Sequence, residues 1–281
     1  MWRIGLALIV MLLVGCTVFA HESKLGTADD VSASKPKKCV PNPKRFDNPE
    51  CTPTPEPTLI PTPTLSPTPT PFPLGLVAWW PGEGNADDIV GSNHGTLQGG
   101  TSFSPGISGQ AFVFDGVEDY VMVPDSPSLN ITGDVTVSLW AKRIVFDGTW
   151  SNVLSKGNNP IAYRLAFEPS NNLAGDFEHD DGSDVDIQGP VVSDPEWHHY
   201  AYVRNGQTHK LFIDGTVVTS ESFSGTAGDT TDQPLLIGAI PPSSAGAPET
   251  QFFGGLVDDV QIYNRPLSDT EVNATYQDGL D

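Results

Sequence analysis

The stretch Glu196–Val218, EWHHYAYVRNGQTHKLFIDGTVV, decides the fold. His198 to Asn205 and Lys210 to Gly215 are short runs of strand-forming residues, and the dipeptides Asn205-Gly206 and Asp214-Gly215 favour positive φ, which suits tight reversals between paired strands. Working outward, the same alternation of short runs and Gly, Pro, Asn or Asp clusters predicts strands over 76–80, 111–115, 120–124, 135–142, 152–156, 163–168, 234–240 and 255–263. No segment reads as a long helix. The one helix start with chemistry behind it is LSDTEVNATY, where Ser268 and Glu271 form a Ser-x-x-Glu capping box opening about two turns. The roughly 208 residues from Leu74 onward suffice to bury around 70% of the unfolded chain's surface in one unit. The expectation is an all-β, two-sheet antiparallel sandwich with one short C-terminal helix.

The chain before this unit has a different composition. Residues 1–20 carry Arg3, an apolar run from Ile4 to Val14 and then small residues, the layout of an export signal. The apolar run, about 11 residues, is short of the roughly 18 that a spanning helix needs. Leu13 to Cys16 resembles a bacterial lipobox, which makes Cys16 the lipid attachment and the chain a cell-surface lipoprotein. A cut after Val18–Ala20 is the alternative and yields a secreted protein. Residues 21–51 form a polar spacer in which Cys39 and Cys51 bracket VPNPKRFDNPE. Export makes a disulfide between them the expectation, with two free thiols as the alternative. Residues 52–73 alternate Pro with Thr and a few other residues, so φ is fixed, donors are missing, and a stiff linker reaching on the order of 70 Å results.

Charge narrows the partners. The chain has 14 basic and 35 acidic residues, but from Leu74 onward the split is 7 to 29. A surface near −22 repels phosphate backbones, anionic headgroups and sulfated polymers, so nucleic acid is excluded and the membrane is reached only through the N-terminal lipid. Cations, neutral sugars and proteins remain.

Four blocks carry a resemblance: GLVAWWPGEGNADDIVGSNHGTL, GQAFVFDGVEDYVMVPDSPSLNITGDVTVSLWAK, EWHHYAYVRNGQTHKLFIDGTVV and FFGGLVDDVQIYNRPLSDTEV. In order and spacing they resemble a laminin-G-like, concanavalin A-like jelly-roll domain over about residues 75–276. The resemblance implies a jelly-roll sandwich whose relatives are lectins, adhesion modules, carbohydrate-binding modules and glucanases. Glucanases of this kind use Glu-x-Asp-x-Glu on one strand, and this chain has no such triplet. Its nearest acid-rich string, Glu178–Asp186, reads as an exposed loop. A non-catalytic surface binding module for a polysaccharide or glycan follows, with an adhesive or structural protein acting through an extracellular protein partner as the alternative.

Two sets of residues are candidates for that binding. The loop Gly82–Gly95 gathers Glu83, Asp88 and Asn93, oxygen ligands of the kind calcium takes, and relatives often hold a structural calcium near such a loop. In LVDDVQI, alternation puts Leu256, Asp258, Val260 and Ile262 on the expected core face, where an ionised Asp258 needs a cation or several backbone N–H groups. The first and last strands of this fold are neighbours, so Asp258 is expected to clamp onto the 82–95 loop, through calcium or hydrogen bonds. For sugar, the candidates are Trp150 with Asp147 and Asn152 beside it, and Tyr163, since a pyranose offers an apolar face and a ring of hydroxyls. Trp80, Trp140 and Trp197 are assigned to the core.

Overall fold

The computed structural model describes residues 72–179, 183–244 and 248–280, all within the unit Pro67–Asp281. The export signal with Cys16, the segment holding Cys39 and Cys51, and the Pro-Thr run to residue 71 lie outside the described residues. In chain order the strands are β1 (Leu76–Trp80), β2 (Thr96–Gln98), β3 (Ser102–Pro105), β4 (Gln110–Asp115), β5 (Tyr120–Val123), β6 (Val135–Arg143), β7 (Ser151–Gly157) and β8 (Ile161–Phe167). They continue with β9 (Asn172–Glu178), β10 (Asp184–Val191), β11 (Trp197–Asn205), β12 (Thr208–Ile213), β13 (Thr216–Ser222), β14 (Leu235–Ile237) and β15 (Gly254–Tyr263), and one helix, α1 (Asp269–Asp278), follows.

The strands form two antiparallel sheets. Sheet A runs β13-β12-β11-β6-β15-β4-β3 with β1 also paired to β15, and sheet B runs β10-β9-β8-β7-β14-β5-β2. The jelly-roll sandwich expected from the sequence is the observed architecture. The reversal from β12 to β13 uses Asp214 at φ 50° and Gly215 at φ 70°, the positive pair that a two-residue hairpin turn demands. Between the sheets lie Trp80, Phe112, Leu139, Val137, Leu165, Phe167, Tyr202 and Ile262, all fully buried.

Basic residues are spent inside. Arg143, Lys156, Arg164 and Arg204 are all buried. Arg204 donates to the carbonyls of Gly133, Ala162 and Ile131, and its guanidinium lies 5.1 Å from the Phe177 ring centroid. A buried charge is tolerated only when its donors are met, and here carbonyls meet them.

Several expectations need correction. The string Glu178–Asp186 is not all loop: Glu178 ends β9 and Asp184 and Asp186 open β10, with Asp176 paired to Asp186 and Glu178 to Asp184. Val185 and Ile187 point inward between these acids and hold the strand to the core. Of the tryptophans assigned to the core, Trp80 lies there, Trp197 is half-buried, and Trp140 is buried on the outer face of sheet A beneath α1. The capping box is present in both directions, and α1 runs for 10 residues, nearly three turns rather than two. Arg265 locks it further with two bonds to the Glu271 carboxylate, at 2.6 and 3.1 Å.

Candidate functional site

β15 serves two partners on one side: Gly254–Val257 pair with β4, and Val260–Tyr263 pair with β1. The switch falls at Asp258–Asp259, where the pairing with β6 slips and Asp259 takes φ 49°. That is a β-bulge, and the extra residue reverses the alternation. Val257, Val260 and Ile262 face the core, whereas Asp258 stands opposite Trp140 and Gln261 opposite Ser138, on the outer side. The expected core placement of Asp258 is therefore wrong, although its burial is complete. Its clamp closes on a different loop from the one expected. Oδ2 accepts from the backbone N–H groups of Ile107 and Ser108, at 2.8 and 3.2 Å, and Oδ1 has no hydrogen-bond partner. A Cβ on Gly106 would collide with Oδ2, so this approach requires glycine. Burial, then the charge of Asp259, push Asp258 up to about 7 against the pull of the two amides.

The 82–95 turn does its own work. Asp88 accepts from the backbone N–H groups of Trp79, Val90, Gly91 and Asn93 and from the Asn93 amide. Burial raises its carboxyl, but the four backbone bonds outweigh this and hold it below the usual range. Asn93 Oδ1 accepts from Ser128, and Glu83 accepts from the Gln110 N–H. The donor set expected for calcium is thus divided: Asp88 and Asn93 satisfy each other, and Glu83 and Asp258 bind the 106–110 loop. Among the described residues no cluster of three or more acidic, His or Cys side chains has a metal-holding arrangement. Five N–H donors leave the Asp88 carboxylate little capacity for an ion. The expected result is a melting temperature unchanged by EDTA or added calcium, measured by scanning calorimetry; a rise with calcium would restore the ion.

The proposed sugar residues are mostly inside. Tyr163 is fully buried and its hydroxyl donates to the Leu129 carbonyl at 2.9 Å. Asn152 is fully buried beside Gln251, to whose side-chain oxygen it donates at 2.7 Å. Neither reaches a ligand. Both strands are covered on two sides, β7 and β8 being buried along their whole lengths. Asp147 is exposed but closes a local turn onto Thr149. Trp150 is half-buried, with the Arg164 guanidinium 4.7 Å from its ring centroid. Arg164 in turn pairs with Asp176.

A cleft that the sequence did not reveal opens on the outer face of sheet A. It has a volume of about 440 Å³ and lies between β1, β15, β6, β11 and α1. Trp79 forms a half-exposed aromatic wall with Phe72 at the rim against it, the buried rings of Trp140 and Tyr263 lie at its base, and Asp259, Gln261, His199 and Asp278 supply polar groups. Trp79 donates its indole N–H to Asp259 at 2.9 Å. Burial raises the Asp259 carboxyl, Trp79 lowers it, and the charge of Glu83 raises it again. His199 is buried between Trp140 and Tyr276, bonds Ser138 through Nε2, and has no partner for Nδ1. Burial depresses its pKa to about 4, so it is neutral at physiological pH. The signal for this site was Asp-Asp inside an apolar run, since Asp tolerates the left-handed backbone that a bulge needs.

Asp258 and His199 give the stability a defined pH dependence. With a folded pKa of about 7 and an unfolded value near 4, Asp258 contributes fully below about pH 4, and the contribution is lost as pH rises through 7. His199 works oppositely: its contribution is present above about pH 6.5 and is lost as pH falls toward 4. The two oppose each other in between. From about pH 6.5 to 8 His199 no longer offsets the loss from Asp258, and Asp176, which burial raises to about 8 against the charge of Arg164, adds to the decline, as does His198, whose pKa burial lowers but the bonds to Asp214 and Asp194 raise overall. Urea denaturation across this range should show Asp258→Asn with a shallower decline than the parent; identical slopes would contradict it.

Comparison with solved structures gives the fold independent support. The binding domain of Paraclostridial Mosquitocidal Protein 1 superposes with a TM-score of 0.60 at 18% identity, covering 73% of this chain and 52% of that one. Domain 4 of AbnA, a GH43 extracellular arabinanase from Geobacillus stearothermophilus, solved with arabinotriose, gives 0.55 at 20% identity, covering 72% and 98%. The receptor binding domain of botulinum neurotoxin C/D mosaic serotype gives 0.59 at 15% identity, covering 73% and 51%. The chain spans about half the length of the two toxin domains it matches. No curated protein matches the sequence. The family model for the concanavalin A-like lectin/glucanases superfamily (Laminin_G_3) matches residues 115–273, more than half of the chain. On that match, and with the two-sheet jelly roll it describes, the chain belongs to the concanavalin A-like lectin/glucanases superfamily.

Proposed function

We propose that this protein is a non-catalytic glycan-binding module, exported and either displayed through a lipid on Cys16 and the Pro-Thr linker or secreted. The observation that supports it best is the cleft on sheet A, where aromatic walls meet Asp259 and Gln261 in a volume suited to one or two sugar rings. The structural relative solved with arabinotriose is compatible with this reading. The missing Glu-x-Asp-x-Glu triplet speaks against glucan hydrolysis. Glycan-array binding that is lost in Trp79→Ala and kept in Trp150→Ala is the expected result. Binding untouched by Trp79→Ala would move the site. An adhesive reading is favoured by Val117, Ile144 and Phe146, which are exposed on loops meeting where Gly116 faces Val145. Silence on the array with retained binding to an extracellular protein would select it.

A further inference from the structure

The cleft on sheet A has a one-sided electrostatic design. Among the described residues two carboxylates, Asp259 and Asp278, line it, and no Lys or Arg does. Lys142, two residues beyond Trp140 on the same strand, does not reach the lining. The only imidazole present, His199, is held neutral by burial. α1 adds to this field, because its last residue is Asp278 and its last turn contains no basic side chain, so the negative end of the helix dipole meets the cleft uncompensated. An acid at a helix C-terminus is unfavourable on its own and is relieved by a cation.

The walls set the rest of the ligand. Trp79 and Phe72 offer exposed apolar ring surface, which a bare metal ion does not use, whereas the face of a pyranose does; Trp140 and Tyr263 back the cleft from beneath. Aromatic rings also attract an ammonium group electrostatically. Gln261 accepts from the Tyr263 hydroxyl through Oε1, leaving its NH₂ group for a sugar hydroxyl. Asp259 Oδ1 takes the Trp79 indole N–H, leaving Oδ2 as acceptor.

We propose that the cleft binds a sugar carrying a protonated amine, with the pyranose ring against the Trp79 wall beside Phe72 and the ammonium drawn to Asp259 and Asp278. This deepens the glycan-binding reading and rests on it. The class is a glucosamine-type residue with a free amino group, as opposed to its N-acetylated, neutral or uronic counterparts.

The test is calorimetric titration of the full chain at slightly acid pH with β-1,4-linked glucosamine oligomers and with the N-acetylated oligomers of equal length. The glucosamine series should bind at least about tenfold more tightly, and Asp278→Asn and Asp259→Asn should each weaken it about tenfold without weakening the acetylated series. Asp186→Asn, which removes the same charge on the other sheet, should change neither. Equal affinity for both series, with Trp79→Ala abolishing both, overturns the amine assignment while keeping the glycan site. A loss in Asp186→Asn equal to that in Asp278→Asn also overturns it, since attraction then belongs to the whole acidic surface. Absence of binding to either series, with neutral glycans also silent on the array, removes both readings.

Discussion

Asp125→Ala lowers the unfolding free energy by about 3–5 kcal/mol. The reason is its partner. The Lys156 side chain has no solvent exposure, and its ammonium donates to Asp125 Oδ1 at 2.6 Å and to the carbonyls of Thr230 and Gln233. Burial lowers the Lys156 pKa, and the hydrogen bond and charge of Asp125, with the charge of Asp229, offset this only in part. With the carboxylate gone, a charge stays buried with two carbonyls and the more distant charge of Asp229 to stabilise it, which favours deprotonation or opening of the structure. Lys156→Met tests the argument from the other side, because it leaves the partly exposed Asp125 to water and loses far less. The double variant Asp125→Ala/Lys156→Met should therefore be more stable than Asp125→Ala alone. Equal losses in denaturant titrations of all three would show that water already reaches the ammonium.

Trp80→Ala is expected to cost about 3–5 kcal/mol as well, through a cavity and not a charge. Trp80 is fully buried between the sheets, opposite Val260 on β15. Its indole N–H donates to the Asn93 carbonyl at 2.8 Å, tying the 82–95 turn to the core. Trp80→Phe separates the two contributions. It retains most of the packing and leaves the Asn93 carbonyl unpaired, for a loss of about 1–3 kcal/mol. A loss below about 1 kcal/mol for the alanine variant would mean that the core collapses into the space.

How much was legible in the sequence depended on whether a pattern could be read locally. The Asp214-Gly215 reversal, the strands around it and the Ser268–Glu271 capping box declare themselves within a few residues and are present, and the reversal expected at Asn205-Gly206 is present one residue on, with Asn205 paired to Thr208 and Gly206 at φ 55°. Asp258 was misplaced because alternation assumes an unbroken ladder, and β15 breaks its ladder where its neighbour changes from β4 to β1. Only the pairing of distant strands contains that information. The string Glu178–Asp186, where β9 ends and β10 begins, was read as a loop because its acids mask the inward Val185 and Ile187. Tyr163 and Asn152 looked available because a strand in a sandwich normally has one wet face, whereas β7 and β8 are covered on both. The cleft is assembled from β1, β6, β11, β15 and α1, so no single stretch announces it.

The burial of basic residues has a practical consequence for handling the protein. From Leu74 onward the only lysines are Lys142, Lys156 and Lys210, and Lys156 is sealed inside. Amine-directed labelling or surface coupling of this unit thus falls on two positions. Lys210 is held by Asp269 at the start of α1, so a dye or support attached there reports on the helix that borders the cleft, while one on Lys142 sits on the same strand as Trp140.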